Sequence, residues 1–230
     1  MKPFSERTAR VIGEAGTERL AGKSAAVFGV GGVGSYAAEA LIRAGVGRLF
    51  FIDGDTVEET NLNRQLVADL TTLGRPKAEV MAERARRVNP DCRAEALVRR
   101  YQPGDRPWLA ELAPDFVIDA IDDVPAKTAL AEDCLSLGIP EASSMGTGNR
   151  LHPEMLEVSD IYKTSVCPLA RRMRRELKAR GVPRLTVVWS RENPVRTGSG
   201  AVGSVSFVPP AAGMILAGIA VRTLLKEETK

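Results

Sequence analysis

Residues 23–55, KSAAVFGVGGVGSYAAEALIRAGVGRLFFIDGD, constrain the fold of this chain more than any other segment. The apolar runs at 24–28 and 48–53 predict two strands, and residues 35–44 between them predict a helix that Gly45 ends. A glycine-rich turn joins the first strand to the helix. Because a helix carries the chain back across the sheet, the two strands are expected to lie parallel in a β–α–β unit.

The same alternation of apolar strands and amphipathic helices continues to about residue 150. It predicts an α/β fold with a doubly wound, Rossmann-like, mostly parallel sheet. After residue 150, the segments MLEVSD, LTVVWS and SVSFVP predict strands, PLARRMRRELKAR predicts a basic helix, and 191–204 predicts a loop. We therefore expect one domain over residues 1–230, with a core at 1–150 and a mixed or antiparallel, substrate-specific extension at 151–230.

Composition excludes several classes of protein. The three cysteines, Cys92, Cys134 and Cys167, are far apart and form no CxxC pair, so the chain cannot supply a four-thiolate zinc site. Such sparse cysteine usage suits a reducing cytosol. The longest apolar run, residues 211–221, is too short to cross a bilayer and predicts a buried helix. With no apolar signal core at the N-terminus, the chain is expected to be cytoplasmic and to lack a membrane segment.

The turn after the first strand carries a phosphate-binding pattern. GVGGVG fits G-x-G-x-x-G through Gly29, Gly31 and Gly34, and Asp53 follows Gly34 by 19 residues. Such glycines let phosphates approach backbone N–H groups at a helix N-terminus, and an acid at this distance can bind ribose hydroxyls. The pattern predicts a nucleotide without choosing among NAD, FAD and ATP. A tightly packed glycine turn without a ligand is the structural alternative.

A second polar cluster, consisting of Asn61, Arg64, Gln65 and Lys77, follows this acid and favours a triphosphate. Arginine and lysine pair with phosphate oxygens, and amide side chains offer donors and acceptors in fixed geometry. Asp122 follows the predicted strand FVIDAI and should reach the same sheet edge, where a carboxylate facing several phosphates suits Mg²⁺. The alternative is that Arg64 and Lys77 only solvate the start of a helix.

The stretch GVGGVGSYAAEALIRAGVGRLFFIDGDTVEETNLNRQ resembles the adenylation domain of the ubiquitin-activating-enzyme superfamily, the ThiF/MoeB-like proteins. The resemblance implies ATP binding and attack of a carboxylate on the α-phosphate, which gives an acyl-adenylate and pyrophosphate. It implies catalytic roles for Arg64, Lys77, Asp122 and Arg7, with Arg7 reaching the triphosphate of the other subunit in a homodimer. It implies nucleotide binding by Gly29, Gly31, Gly32, Gly34, Asp53, Asp55, Asn61, Arg64, Gln65 and Lys77.

The same resemblance assigns magnesium to Asp122. Many members of the superfamily have asparagine at the next position, where this chain has Asp123, so either acid is a candidate for the metal.

Further segments resemble the tRNA threonylcarbamoyladenosine dehydratases of this superfamily. They are KAEVMAERARRVNPDCR, FVIDAIDDVPAK, the stretch from SSMGTGNRLHPEM to ELKARGV, and SVSFVPPAAGMILAGIAV. The resemblance implies ATP-dependent cyclisation of a threonylcarbamoyl group on an adenosine of tRNA, and it suggests a bound monovalent cation. Such an enzyme would be an AMP-forming ligase. The main alternative is an adenylyltransferase that activates the C-terminal glycine of a small sulfur-carrier protein. A nucleotide-sensing dimer and a dehydrogenase are more distant alternatives.

A tRNA substrate gives the basic helix a role, because arginine contacts to phosphates hold RNA in register without reading its sequence. The alternative is a solvated helix face with apolar residues buried beneath it. Cys167, just before this helix, is a candidate thiol that accepts an acyl group, or a persulfide from a sulfur-transfer partner; the alternative is a small residue at a helix start. The candidate RNA-binding residues are Arg171, Arg172, Arg174, Arg175 and Lys178.

Overall fold

The computed structural model describes residues 3–196, 198 and 202–226. Its strands are β1 Ser24–Phe28, β2 Arg48–Ile52, β3 Arg93–Leu97, β4 Phe116–Asp119, β5 Glu141–Ser144, β6 Leu156–Asp160 and β7 Thr186–Ser190. They form one sheet in the order β3-β2-β1-β4-β5-β7-β6. Every neighbouring pair is parallel except β6 with β7. The predicted α/β fold with a mostly parallel sheet is confirmed.

Helices cover both faces of this sheet. They are α1 Glu6–Ala21, α2 Gly34–Ala44, α3 Lys77–Val88, α4 Arg106–Leu112, α5 Val124–Leu137, α6 Pro168–Ala179 and α7 Val208–Leu224. Alternate residues of β1 face the two layers, because successive side chains of a strand point to opposite sides. Ala25 and Val27 join the core under α2, α3 and α7, whereas Ala26 and Phe28 join the core under α4 and α5.

The C-terminal extension differs from the prediction in one respect. The segment SVSFVP forms no strand: residues 204–207 are irregular, and Val208 begins α7, with Pro209 and Pro210 in its first turn. Proline cannot donate to a strand ladder, but it fits the first turn of a helix. The predicted mixed or antiparallel character of the extension is confirmed, because β7 runs parallel to β5 and β6 runs antiparallel to β7.

The ends of the chain add two further observations. Helix α1 has no counterpart among the sequence predictions, and Gly13 interrupts it with a φ of 75°. Helix α7 contains the predicted buried helix at 211–221. In the part of the chain that the structure describes, no helix is long and apolar enough to cross a bilayer. The predicted loop at 191–204 includes residues 197 and 199–201, which lie outside the described residues.

Candidate active site

A cleft of about 1070 Å³ opens at the carboxyl ends of β1, β2, β4 and β5. Ligands bind at this edge in open parallel sheets because the strand ends and helix N-termini converge there. Predicted site residues that line the cleft are Gly29, Gly31, Gly32, Asp53, Asp55, Arg64, Gln65, Lys77, Asp122 and the alternative metal candidate Asp123. Lining residues that the sequence reasoning missed include Arg99, Arg100, Tyr101 and Gln102 after β3, Ser144 at the end of β5, residues 145–148 after it, and Val202, Ser204 and Pro209.

The glycine turn at 29–34 is tight at both ends and open in its middle. Gly29 has a φ of +84°, and a Cβ there would lie 2.6 Å from the Ala120 carbonyl oxygen. A Cβ at Gly34 would lie 1.8 Å from the Gly29 carbonyl oxygen, whereas one at Gly31 would meet only the Gln65 amide, at 3.7 Å. The outer glycines therefore build the turn, and Gly31 leaves room at the cleft.

Replacing Gly34 with alanine should lower the free energy of unfolding by at least about 2 kcal/mol, because the new methyl group collides with backbone. Gly31→Ala is the matched control, and it should leave stability nearly unchanged while weakening ATP binding. Chemical denaturation and ATP titration measure the two effects. Equal stability of the two variants would contradict this account of the turn.

Asp53 ties the glycine turn to the end of β2. Its Oδ2 accepts a hydrogen bond from the Val30 N–H at 2.6 Å, and its Oδ1 accepts one from the Asp55 N–H at 2.8 Å. Burial raises the pKa of Asp53, and the two backbone donors oppose that shift. The carboxylate therefore lies at the cleft as an acceptor held in place by backbone, which suits the predicted ribose contact.

Asp55 forms ion pairs with two cationic side chains that line the cleft. The Lys77 Nζ lies 3.1 Å from Asp55 Oδ2, and the Arg100 Nη2 lies 2.6 Å from Asp55 Oδ1. Burial alone would raise the pKa of Asp55, but hydrogen bonds from Arg100 and Lys77 outweigh it and lower the pKa. Lys77 is itself buried, at 6% exposure. The positive groups of Lys77 and Arg100 therefore lie together at the cleft, and both are paired with Asp55.

Arg64 and Gln65 reach the cleft from the turn that follows β2. Arg64 Nη1 donates to the Thr60 carbonyl and to Asn63 Oδ1, both at 2.9 Å. Gln65 is buried, and its Oε1 has no hydrogen-bond partner among the described residues. Gln65 therefore keeps an unsatisfied acceptor beside the glycine turn, as expected of a group that awaits a ligand.

Asn61 is placed differently from the prediction. It is buried beneath the cleft and does not line it; its Oδ1 accepts from the Glu58 N–H at 3.1 Å. Its carbonyl accepts from the Arg64 and Gln65 N–H groups at 3.1 and 3.0 Å. In this structure Asn61 supports the turn that presents Arg64 and Gln65 to the cleft. Gly34 is likewise not among the lining residues.

A buried ion pair fixes the loop that carries Asp122. Asp119 and Lys127 have no exposed side-chain surface, and Lys127 Nζ lies 2.7 Å from Asp119 Oδ2. The same oxygen accepts from the Ser143 hydroxyl at 2.6 Å, and Oδ1 accepts from the Ile121 N–H at 3.0 Å. The network therefore joins the ends of β4 and β5, two of the strands that border the cleft.

A second carboxyl group, that of Glu141, lies near this ion pair, and its Oε1 is enclosed. Burial and the negative charge of Asp119 raise the pKa of Glu141 well above its ordinary value, although Lys127 opposes the shift. Burial therefore favours the neutral form of Glu141 beside the Asp119–Lys127 pair.

The structure distinguishes the two acids that follow β4. Asp123 caps α5, because its Oδ2 accepts from the Ala126 N–H at 2.9 Å. Asp122 is exposed at the cleft, and among the described residues its carboxylate has no hydrogen-bond or ion-pair partner. No group of three or more His, Cys, Asp or Glu side chains in the described part of the chain is arranged to hold a metal. A metal here would rely on Asp122 together with ligand oxygens.

The remaining predicted residues lie outside the cleft lining. Arg7 is exposed on α1, before the break at Gly13. Cys167 is buried just before α6, and a Cβ at Gly146 would lie 3.5 Å from its Sγ, so the thiol lies behind the loop after β5. Leu169, in the first turn of α6, does line the cleft. The basic helix therefore starts at the cleft edge.

The basic residues of α6 differ in their exposure to solvent. Four are exposed on the outer face, and Arg174 is half-buried and donates to the Thr164 carbonyl at 3.0 Å. Met173 and Leu177 are fully buried beneath that face. The helix therefore has both the buried apolar face and the exposed cationic face that the sequence suggested. Its exposed cations are Arg171, Arg172, Arg175 and Lys178.

Comparisons with known proteins identify the family to which the chain is similar. The tRNA threonylcarbamoyladenosine dehydratase of Bacillus subtilis (strain 168) is 38% identical in an alignment of 239 positions that covers 96% of this chain and 94% of the relative. The enzyme of the same name from Escherichia coli (strain K12) is 42% identical over 172 residues, or 75% of this chain and 64% of the relative.

Solved structures give the same result. The crystal structure of the E. coli tRNA N6-threonylcarbamoyladenosine dehydratase in complex with ATP matches with a TM-score of 0.90 and 35% identity, over 96% of this chain and 93% of that chain. Its complex with AMP matches with a TM-score of 0.91. The ThiF family model matches residues 5–230. The chain therefore belongs to the ThiF family, among the relatives of the tRNA threonylcarbamoyladenosine dehydratases.

Proposed function

We propose that this protein is an ATP-dependent dehydratase that cyclises the threonylcarbamoyl group of a modified adenosine in tRNA. The proposal rests mainly on one observation. A single cleft at the sheet edge is lined by the glycine turn, by the unpaired carboxylate of Asp122 and by three cationic side chains, those of Arg64, Lys77 and Arg100. The similarity over 96% of the chain to an enzyme of that name, crystallised with ATP and with AMP, supports the choice of substrate.

The reaction has two steps. A carboxylate oxygen of the threonyl group attacks the α-phosphorus of ATP, the bond to the bridging oxygen breaks, and pyrophosphate leaves. An internal nucleophile of the same group then attacks the acyl carbon, and AMP leaves with the former carboxylate oxygen. The ring closure is intramolecular and has a good leaving group, so it needs little acid–base help from the protein.

The cations of the cleft fit the first step. Negative charge builds on the departing pyrophosphate, and positive groups placed there beforehand lower that barrier. We assign the phosphates to Arg64 and Lys77 and the ribose to Asp53, with Gly31 and Gly32 beside the nucleotide. Asp55 orients Lys77 through its ion pair.

Asp122 is the residue we assign to Mg²⁺. Its carboxylate is exposed and unpaired in the described structure, and carboxylates with phosphate oxygens are the usual ligands of this ion. Bound with ATP, Mg²⁺ would neutralise phosphate charge. The predicted monovalent cation has no assigned residues.

Replacing Asp122 with alanine should reduce AMP formation by about 10² and leave stability unchanged, because the side chain is exposed and only its charge is lost. Asp123→Ala is the matched control, and it should lower the free energy of unfolding by about 1 kcal/mol through loss of the helix cap. Rates as a function of Mg²⁺ concentration, together with thermal denaturation, measure both effects. The assignment would be wrong if only Asp123→Ala changed the dependence on Mg²⁺.

The proposal includes tRNA contacts outside the cleft. We assign them to the exposed cations of α6, Arg171, Arg172, Arg175 and Lys178, because this helix starts at Leu169 on the cleft edge. Arg174 is less accessible to RNA, since it is half-buried and hydrogen-bonded to Thr164. Contacts of this kind should make binding salt-dependent.

A homodimer is the proposed assembly. Arg7 lies on an exposed helix and not at the cleft of its own chain, which fits a role at the cleft of the partner. We interpret residues 1–230 as one adenylation domain, with 1–150 binding the nucleotide and 151–230 the substrate, and place it in the cytoplasm. A sulfur-transfer role for Cys167 has less support, because the thiol is buried.

The test of substrate class is AMP release. Purified protein with ATP and Mg²⁺ should form AMP when supplied with tRNA that carries threonylcarbamoyladenosine, and should not form it with unmodified tRNA. A small sulfur-carrier protein with a C-terminal glycine is the rival substrate. If AMP forms with the sulfur-carrier protein and not with modified tRNA, the proposal is wrong and the protein is an adenylyltransferase.

A further inference from the structure

Asn63 is an exposed side chain that connects two residues of the cleft without lining the cleft itself. Its Oδ1 accepts a hydrogen bond from Arg64 Nη1 at 2.9 Å, and its Nδ2 donates one to the Ser204 carbonyl at 3.0 Å. Arg64 and Ser204 both line the cleft, and the second bond spans 141 positions of the sequence. One amide therefore joins a residue assigned to the phosphates to a segment that is distant in sequence.

Residues 202–204, the bridge segment, are held against the loop that follows β5. Asn149 in that loop donates its N–H to the Gly203 carbonyl at 2.8 Å, and its Oδ1 accepts from the Gly203 N–H at 2.6 Å. A Cβ at Gly148 would collide with the side chain of Val202, so the loop and the bridge segment are in direct contact. The bridge segment is therefore fixed to the wall of the cleft that follows β5.

The sheet order gives the cleft two ends. The residues assigned to ATP follow β1, β2 and β4 and form the nucleotide end. Strand β5 lies beside β4 on the side away from β1, and the loop after β5 lines the cleft together with the bridge segment. Under the proposed function this second part is the substrate end. The hydrogen bond from Asn63 to the bridge segment therefore links the substrate end to Arg64.

The guanidinium of Arg64 has few contacts that fix its orientation. A Cβ at Gly32 would lie 3.3 Å from Arg64 Cγ and 3.5 Å from its Cδ, so the stem packs over the glycine turn. Nη1 donates to the Thr60 carbonyl and to Asn63, whereas Nε and Nη2 have no hydrogen-bond partner among the described residues. An arginine side chain carries about 2 kcal/mol of rotamer entropy, so fixing it before the reaction removes that cost from the catalytic step.

We propose that Asn63 is a positioning residue, which anchors the guanidinium of Arg64 to the bridge segment and leaves Nε and Nη2 for phosphate oxygens. The inference rests on the proposed function, because that function assigns Arg64 to the phosphates of ATP. Two adjacent N–H donors of a guanidinium match two oxygens of a phosphate, so their orientation decides whether both bonds form. Asn63 itself contacts no reacting atom and acts only through Arg64.

Replacing Asn63 with alanine should lower the kcat for AMP release by about tenfold, because a hydrogen bond that orients a charged group is lost. The KM for ATP should change little, since Arg64 keeps its charge at the cleft and loses only its orientation. Asn63→Gln restores an amide at this exposed site and should recover much of the rate. Thr60→Ala is the matched control, because Arg64 bonds to its backbone carbonyl, which the variant keeps.

A double variant shows whether Asn63 acts through Arg64. Asn63→Ala should cause no further loss of rate in the Arg64→Ala protein, because the group that it positions is already absent. Additive losses would overturn the inference, and so would a wild-type rate in Asn63→Ala alone. A defect of Asn63→Ala that consists only of a raised KM for ATP would also overturn it, because Asn63 would then be a nucleotide ligand.

A measurement on the protein without tRNA or ATP separates this inference from the proposed function. The NMR order parameter of the Arg64 Nε–H should fall in Asn63→Ala and stay near the wild-type value in Asn63→Gln and Thr60→Ala. An unchanged order parameter in Asn63→Ala would overturn the inference even if the protein converts modified tRNA. If the wild type releases no AMP with modified tRNA, the proposed function fails, and the order parameter alone decides whether Asn63 positions Arg64.

Discussion

Replacing Lys127 with methionine is expected to lower the free energy of unfolding by about 3–5 kcal/mol, because the change leaves Asp119 as an unpaired buried carboxylate. Both side chains are completely buried, so water cannot replace the lost partner. Urea denaturation of the wild type and the variant measures the effect. The ends of β4 and β5 should loosen as well, which weakens ATP binding in the variant that remains folded.

Two controls distinguish the cost of leaving a charge buried without a partner from the cost of losing a single contact. The double variant Asp119→Asn/Lys127→Met removes both charges and should recover a large part of the lost stability. Arg180→Met breaks a comparable pair at 2.7 Å with Glu132 on the surface, where pairs contribute less than about 1 kcal/mol. A loss in Lys127→Met no larger than that in Arg180→Met would show that the buried pair has no special role.

Replacing Arg64 with alanine should reduce AMP formation by about 10²–10³, the effect of removing one preorganised positive donor from a developing anion. Arg64 lines the cleft beside Gly32, and its other hydrogen bonds go to Thr60 and Asn63 of its own turn. The fold should be unaffected. The measurement is the rate of AMP release at saturating ATP and modified tRNA.

Arg75→Ala is the control for this prediction. Arg75 follows the same turn, but it pairs with Glu83 on α3 and does not line the cleft. Its replacement should leave the rate near that of the wild type. Equal rates for Arg64→Ala and Arg75→Ala would remove Arg64 from the catalytic set.

Much of the core could be predicted because its signals are local. The strand, glycine turn and helix of residues 24–44 lie next to one another, and the turn needs glycine for steric reasons that the spacing reveals. Residues at strand ends, such as Asp53 and Asp122, could be placed together because parallel strands share one carboxyl edge. Sequence reasoning therefore predicted most of the residues that line the cleft after β1, β2 and β4.

The substrate end could not be assembled in the same way. Gly148 and Asn149 meet Val202 and Gly203 only in the fold, and no spacing in the sequence links them. Arg100 had a signal that sequence reasoning left unused, since it follows a predicted strand as Asp53 does. The alternating pattern of SVSFVP suggested a strand, but two prolines begin a helix there instead.

The central claim is that the protein removes one molecule of water from threonylcarbamoyladenosine in tRNA. Mass spectrometry of nucleosides from tRNA incubated with protein, ATP and Mg²⁺ tests it directly, with the Arg64→Ala variant as the matched control. The account predicts a product lighter by the mass of one water, formed by the wild type together with AMP. An unchanged nucleoside mass, in tRNA recovered from a preparation that is folded and binds ATP, would contradict it.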